Sequence, residues 1–270
     1  MDFFILSPNI LLKILEFCSF DEYFNMCLVS KHLNKILTYG RHNDQTRNLK
    51  KEKISIAQTQ LLKVKKAGEN IESIQNPAKE IQLAAVRQNV EALLYIKDPY
   101  DDVYIAAIQQ YPPILEFIVN PTKEMQMTAV RYDACAIEHI ENPDGDVQLE
   151  AVSYCPIAIK YIDEPTIEAQ IQSVGWDGEM IEYIKNPSEK IQLLAVTNNP
   201  YSISYIENPT ENVQLVAVMH NGDLIQYIKN PSEKIQLAAI RKTPESIQVI
   251  EDPTLNVIRE AESQRYKMYN

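Results

Sequence analysis

Cysteine and histidine, the side chains that most often bind zinc, are scarce in this 270-residue chain, which has four of each. None of the cysteines forms a Cys-x-x-Cys pair, and no His-Glu-x-x-His motif occurs. The glycine-rich motifs that bind dinucleotides or nucleoside triphosphates are also missing. We therefore predict no metal site, no cofactor, no catalytic residue and no enzymatic activity. The cysteines, Cys18, Cys27, Cys135 and Cys155, are interpreted as small hydrophobic side chains in a reducing compartment.

Long hydrophobic runs are missing as well, since no segment approaches the ~18 apolar residues of a membrane span. The short apolar patch from Phe3 to Leu6 lacks a basic flank and a cleavage site, so we predict neither a secretory signal nor a membrane partner. These features indicate a cytoplasmic protein, with the nucleus as an open alternative.

Basic residues are few after residue 54. Residues 55–270 carry 18 Lys and Arg against 31 Asp and Glu, in a chain whose formal net charge is −11. Phosphate contacts need Lys and Arg, so this composition argues against a nucleic-acid partner and against a helical-repeat DNA glycosylase.

Proline, by contrast, recurs at a fixed step of 22 residues through most of the chain. A fixed period of 20–50 residues is typical of a solenoid, in which each repeat buries its apolar face only against its neighbours. We number positions within a repeat by their distance from its proline. The prolines are Pro77, Pro99, Pro121, Pro143, Pro165, Pro187, Pro209, Pro231 and Pro253.

Each repeat is predicted to contain two helices. In the sixth, Asn186 is expected to cap the first helix and Pro187 to occupy its first position. Ile191 belongs to an apolar stripe with helical spacing, and Pro200 ends the helix. A second helix of about two turns is expected around Ile203. A small residue at position 8, Val or Ile at position 9 and Ile at position 19 predict the core.

The predicted fold is therefore all-α, with a three-helix motif followed by an α-solenoid that resembles HEAT and leucine-rich-variant arrays. The segment before the solenoid is interpreted as a basic linker or the frayed start of a helix. The predicted boundaries are 1–38 for the three-helix motif, 39–54 for the linker, 55–270 for the solenoid, and within it 55–76 for a degenerate unit, 77–252 for eight full repeats and 253–270 for a C-terminal cap helix.

Position 11 varies between repeats while the core positions stay constant, and it falls at the end of the first helix. Aromatic residues and arginine dominate protein interfaces, which predicts a substrate-binding stripe; the alternative is that these side chains only cover their neighbours. Gln at position 5 is expected to bond the next repeat's loop, and the two glycines around Trp176 to form a bend. The predicted stripe consists of Tyr132, Tyr154, Trp176 and His220 at position 11, flanked by Arg131 at position 10.

Residues 1–38 do not follow the repeat. The pairs Ile10-Leu11 and Ile14-Leu15 form one helical stripe, and Leu28-Val29-Ser30-Lys31 follows a second helix. This arrangement resembles the F-box, the motif with which substrate receptors bind Skp1 in cullin-RING ubiquitin ligases. The resemblance implies that Skp1 is bound by Leu6, Pro8, Ile10, Leu11, Ile14, Leu15, Leu28 and Val29.

The resemblance implies a substrate receptor of an SCF-type ligase, with Skp1, and through it a cullin, as partners and the acidic solenoid binding an unknown target protein. Large DNA viruses join F-boxes to unusual repeats, which suggests a viral source and the host cytoplasm. The alternative function is a non-catalytic helical-repeat scaffold whose N-terminal helices only cap the array.

Overall fold

The computed structural model describes residues 44–269, and the predicted three-helix motif with its eight Skp1-binding residues lies outside this range. Within the described range every regular element is an α-helix or a 3₁₀-helix, as the all-α prediction requires. The α-helices are α1 (Asp44–Lys66), α2 (Lys79–Gln88), α3 (Asp101–Gln110), α4 (Lys123–Tyr132), α5 (Gly145–Tyr154), α6 (Ile167–Trp176), α7 (Glu189–Asn198), α8 (Glu211–His220), α9 (Glu233–Lys242) and α10 (Leu255–Tyr269).

A six-residue 3₁₀-helix follows each of α1 to α9. These are η1 (Gly68–Ser73), η2 (Val90–Tyr95), η3 (Pro112–Phe117), η4 (Ala134–His139), η5 (Pro156–Tyr161), η6 (Gly178–Tyr183), η7 (Pro200–Tyr205), η8 (Gly222–Tyr227) and η9 (Pro244–Val249).

The chain divides into two blocks, the first ending at Tyr111 and the second beginning at Pro112. Inside each block, successive α-helices pack side by side and the 3₁₀-helices pack beneath them as a second layer. The core lies between the layers and is formed mainly by positions 4, 8, 9, 15, 16 and 19. In the sixth repeat the hydrophobic residues at these positions are Ile191, Ala195, Val196, Ile203 and Ile206, all buried. The predicted core positions 8, 9 and 19 are confirmed.

The second helix of each repeat is a 3₁₀-helix, which the sequence interpretation did not distinguish from an α-helix. Its buried isoleucines stand three residues apart, at positions 16 and 19, which matches the three residues per turn of a 3₁₀-helix. Asn199 joins the two helices of the sixth repeat: its N–H bonds Ala195 O as the C-cap of α7, and its side chain accepts from Tyr201 N as the N-cap of η7.

The predicted helix start at Asn186 and Pro187 is wrong by two residues. The helix α7 begins at Glu189, Ser188 is its N-cap, and Asn186 has a left-handed backbone with φ of 52°. Asparagine tolerates this conformation better than most L-residues, because its short polar side chain bonds locally. The asparagine therefore turns the chain from one repeat into the next, and the cap belongs to position 1.

Replacing Asn186 by alanine is expected to lower the free energy of unfolding by about 1 kcal/mol, the cost of a left-handed backbone for an ordinary residue. Asn186→Gly should stay near wild type, since glycine adopts this conformation freely. Asn208 occupies the same repeat position but is not among the positive-φ residues. Urea denaturation of Asn208→Ala is therefore the control, and an equal loss in both alanine variants would contradict the explanation.

The fifth repeat, predicted to bend around Trp176, is regular. Gly175 lies inside α6 and Gly178 opens η6, at the positions that other repeats use for the same elements. A Cβ on Gly178 would stand 2.4 Å from the backbone oxygen of Ala195. The glycine is therefore explained by the close approach of the next repeat and not by a local loop.

The helix α1 begins at Asp44, so the part of the predicted linker from this residue onward is helical and continues into the degenerate unit. Of the two interpretations of this segment, the start of a helix is the one observed. No helix in residues 44–269 combines the length and the apolar character that a bilayer span requires.

Candidate functional site

Three of the glutamines at position 5 tie neighbouring repeats together, as predicted, and these are Gln82, Gln148 and Gln192. Gln148 is buried; its Nε2 donates to Pro143 O at 3.0 Å, and its Oε1 accepts from Thr166 N of the next repeat at 2.8 Å. Gln192 makes the equivalent bonds to Pro187 O and Thr210 N. These amides satisfy backbone groups that the loops would otherwise bury unpaired, so this row is structural.

Polar contacts at the start of the helices show how neighbouring helices are aligned. Asn212 Nδ2 at the start of α8 donates to Glu189 Oε1 at the start of α7 at 3.0 Å. The amide of Asn212 and the hydroxyl of Thr210 lower the pKa of the Glu189 carboxyl. Lys234 Nζ at the start of α9 lies 3.2 Å from Glu211 Oε2 at the start of α8. Successive helices therefore run in the same direction, with their first turns along one edge.

The last residues of the helices in the second block consequently lie along the opposite edge. Tyr132, Tyr154 and Trp176 end the consecutive helices α4, α5 and α6, and their side chains are 59%, 62% and 67% exposed. We call these three residues the aromatic edge. His220 is also exposed but ends α8, with Asn198 of α7 between it and Trp176.

Arg131 has a structural role that its assignment to the stripe did not include. Its Nε lies 2.6 Å from Glu150 Oε1 on the next helix, and this carboxylate raises the pKa of the guanidinium. The same pair recurs between Arg241 and Glu260, at 3.2 Å. The charge of Arg131 is therefore balanced inside the array, beside Tyr154.

Position 11 can also cap the preceding helix, which is the alternative considered for the whole stripe. Asn198 Nδ2 donates to Gly175 O near the end of α6 at 2.6 Å. Gln110 in the first block donates in the same way to Val86 O at 3.0 Å. The ring of Trp176 has neither a hydrogen bond nor a ring contact within residues 44–269. The capping alternative thus explains the amides and leaves the exposed aromatic rings unexplained.

Three carboxylates follow Trp176 closely along the chain, at Asp177, Glu179 and Glu182. Asp177 accepts from the backbone N–H of Glu179, and Glu179 accepts from Asn199 Nδ2 at 3.0 Å. The pKa of Tyr205 is raised, first by the Glu179 carboxylate, then by desolvation, and also by Glu182. The segment that follows Trp176, from Asp177 through η6, is therefore acidic.

Cys135 and Cys155 are neighbours, although their separation of 20 residues puts them at different positions of their repeats. Partial burial raises the pKa of the Cys135 thiol, and Cys155 lies within hydrogen-bonding reach of it. The same step of 20 joins Glu179 Oε1 to Asn199 Nδ2, from position 14 to position 12 of the next repeat. The step of 20 residues is visible in the sequence. It was missed because only residues at the same repeat position were compared, whereas this contact joins position 14 to position 12.

Because the two thiols are neighbours, mild oxidation with hydrogen peroxide should join Cys135 to Cys155. Both thiols lose their hydrogens, the sulfurs bond, and the peroxide is reduced to water. Closing this loop should raise the free energy of unfolding by about 3 kcal/mol. Peptide mapping by mass spectrometry identifies the linked pair, and thermal unfolding before and after dithiothreitol measures the effect. Cys135→Ser should show neither; a link between other cysteines instead would contradict the geometry.

The described residues contain no group of three or more His, Cys, Asp or Glu side chains placed to hold a metal ion.

Comparison with known proteins places one domain outside the described range. A family model of the F-box domain matches residues 3–41, which overlap the predicted motif at 1–38 and include all eight predicted Skp1-binding residues. No curated protein and no solved structure matches the chain. The chain therefore carries an F-box domain at residues 3–41, followed by an all-α array of 22-residue helix pairs.

Proposed function

We propose that this chain is the substrate receptor of a Skp1–cullin–F-box ubiquitin ligase. The observation that carries the proposal is the F-box match at residues 3–41, because F-box domains generally bind Skp1-type adaptors. Skp1 would be bound by the aliphatic side chains predicted from the sequence, with Leu11 and Ile14 on one helical stripe. The target is an unidentified protein, and the ligase would act in the cytoplasm or the nucleus.

The repeat array supports a presenting role. Its repeats are joined by a buried core, by amides such as Gln148 and by ion pairs such as Arg131 with Glu150. A target bound to such an array is held near the ubiquitin-charged enzyme of the ligase. Binding therefore raises the effective concentration of the target at that enzyme. The chain itself need supply no catalytic group.

Co-purification from a eukaryotic lysate tests the proposal. The intact tagged chain should retain Skp1 and a cullin, and Leu11→Glu/Ile14→Glu should retain neither, since charge is placed on the apolar stripe. Lys13→Glu, which changes charge outside that stripe, is the matched control and should behave as wild type. Loss of Skp1 in all three proteins, or retention in all three, would refute the proposal.

The scaffold alternative makes the opposite prediction about stability. If the N-terminal helices only cap the array, deleting residues 1–40 should expose its first repeat and lower the Tm. Under the ligase proposal the deletion removes Skp1 binding and leaves thermal unfolding of the array close to that of the intact chain. The suggested viral source does not enter either prediction.

A further inference from the structure

The aromatic edge presents three large rings in a row with no intramolecular role in the described range. Tyr132, Tyr154 and Trp176 are each more than half exposed and end three adjacent helices. Exposed aromatic rings in a continuous row are typical of binding surfaces, since they supply contact area at low entropic cost.

The backbone makes the same edge electronegative. The helices α4, α5 and α6 are parallel ten-residue helices, and their carboxyl ends meet there. Each such end carries roughly half a negative charge in unpaired carbonyl groups. These carbonyls accept hydrogen bonds from amide groups, as Asn198 shows: its side-chain Nδ2 donates to Gly175 O at 2.6 Å. A ligand with N–H donors can repeat this bond on the neighbouring helix ends.

Side-chain charges reinforce the backbone. Asp133 and Asp177 follow the first and third helices, and Glu179 and Glu182 lie beyond Trp176. Two cations lie among these elements: Arg131, which is paired with Glu150, and Lys160, which holds in η5 the position that Glu182 holds in η6. The four carboxylates still outnumber them. The complementary ligand is therefore positively charged. Further along the edge, His220 and Lys242 end α8 and α9, which confines the acidic part to α4–α6.

Within residues 44–269, Lys160 gives an example of a cation over a tyrosine ring. Lys160 Nζ in η5 lies 5.6 Å from the centre of the Tyr161 ring. Such contacts are attractive at exposed sites and are strongest on tryptophan. The exposed rings of Tyr132 and Trp176 can make the same contact with a side chain from outside, and the ring of Tyr154 already lies beside Arg131.

Spacing decides the form of the ligand. Axes of packed helices lie about 8–10 Å apart, so neighbouring rings repeat at about that interval. A polyproline II chain rises about 3.1 Å per residue and completes a turn in three residues, or about 9 Å. One residue in every three would then meet a ring.

We propose that the aromatic edge binds an extended basic segment of the target, with Arg or Lys at every third residue and one cationic side chain on each of Tyr132, Tyr154 and Trp176. This proposal deepens the proposed function. It depends on that function in one respect only, namely that the bound segment belongs to a target of the ligase. The surface and its ligand chemistry depend on the second block alone.

Trp176 is the only tryptophan in the chain, so its fluorescence reports on the edge directly. The full-length protein is titrated with the peptide Arg-Ser-Ser-Arg-Ser-Ser-Arg, and a saturable change in emission is expected. The peptide Arg-Arg-Arg-Ser-Ser-Ser-Ser has the same composition and charge but the wrong spacing. It should bind at least fivefold more weakly at the same ionic strength.

Calorimetry with the spaced peptide tests the rings individually. Trp176→Ala should weaken binding about tenfold, which corresponds to about 1.4 kcal/mol. Tyr227→Ala removes another exposed aromatic ring of the same block outside the edge, and it should bind as wild type. Circular dichroism confirms that both variants keep their helices.

Equal binding of the two peptides, or unchanged binding by Trp176→Ala, would overturn the proposal, since only diffuse charge would then be recognised. Preference for an acidic peptide would overturn it as well. Skp1 is absent from these titrations, so a failure of the ligase proposal leaves their outcome unaffected. Conversely, Skp1 binding by a chain that ignores the spaced peptide would leave the ligase proposal standing and refute this one.

Discussion

Replacing Gly178 by alanine is expected to lower the free energy of unfolding by about 2–3 kcal/mol, the typical cost of overpacking a filled site. The added Cβ would stand 2.4 Å from Ala195 O and 2.7 Å from Ser202 Oγ. The hydroxyl can rotate away, but the backbone oxygen belongs to α7 and cannot move without shifting the next repeat. The predicted loss therefore measures how closely two repeats approach each other.

Gly175→Ala is the matched control, three residues earlier. A Cβ on Gly175 meets nothing within 4 Å, and the residue lies inside α6. Alanine should therefore raise the free energy of unfolding by up to about 1 kcal/mol through helix propensity alone. Urea denaturation of both variants gives the comparison. Similar effects of the same sign in the two variants would show that the close approach at Gly178 has been misjudged.

The second large effect is expected for Gln148→Leu, which should cost about 2–3 kcal/mol. Leucine fills a similar volume but leaves Pro143 O without its donor and Thr166 N without its acceptor. A buried polar group deprived of its partner costs about 1–3 kcal/mol, while the added apolar burial recovers part of this.

Gln172→Leu in the neighbouring helix provides the comparison, because no hydrogen bond involves this side chain within residues 44–269. Its effect should stay within about 0.5 kcal/mol of wild type. Hydrogen exchange should also show the Thr166 amide losing protection in Gln148→Leu only. A fully stable Gln148→Leu protein would mean that the amide row is dispensable and that the core alone joins the repeats.

The period and the core could be predicted from the sequence because they repeat. Isoleucine at position 19 is visible nine times over, from Ile74 to Ile250, and each copy is buried. The start of the first helix in each repeat was predicted less accurately, because an asparagine before a proline suits both an N-cap and a left-handed turn. Local sequence does not distinguish these two uses at Asn186, and Asn208 at the same repeat position does not adopt the left-handed backbone.

The aromatic edge was predictable for a related reason, since Tyr132, Tyr154 and Trp176 vary where the core does not. Contacts between unequal positions were harder to foresee. Arg131 meets position 7 of the next repeat at Glu150, and Cys135 meets position 12 at Cys155. These pairings depend on how one repeat is offset from the next, a quantity that the period alone does not contain.

The central claim is that the F-box joins this array to a ubiquitin ligase, and titration calorimetry with purified Skp1 tests it most directly. The intact chain should bind Skp1 with one-to-one stoichiometry. Leu11→Glu/Ile14→Glu should lose at least 100-fold in affinity, because each buried aliphatic side chain contributes about 1.5–3 kcal/mol and 1.4 kcal/mol is a tenfold change. Its thermal unfolding should match that of wild type. Absence of heat with the intact chain, or equal affinity in the variant, would contradict the account and leave the first forty residues as a cap of the array.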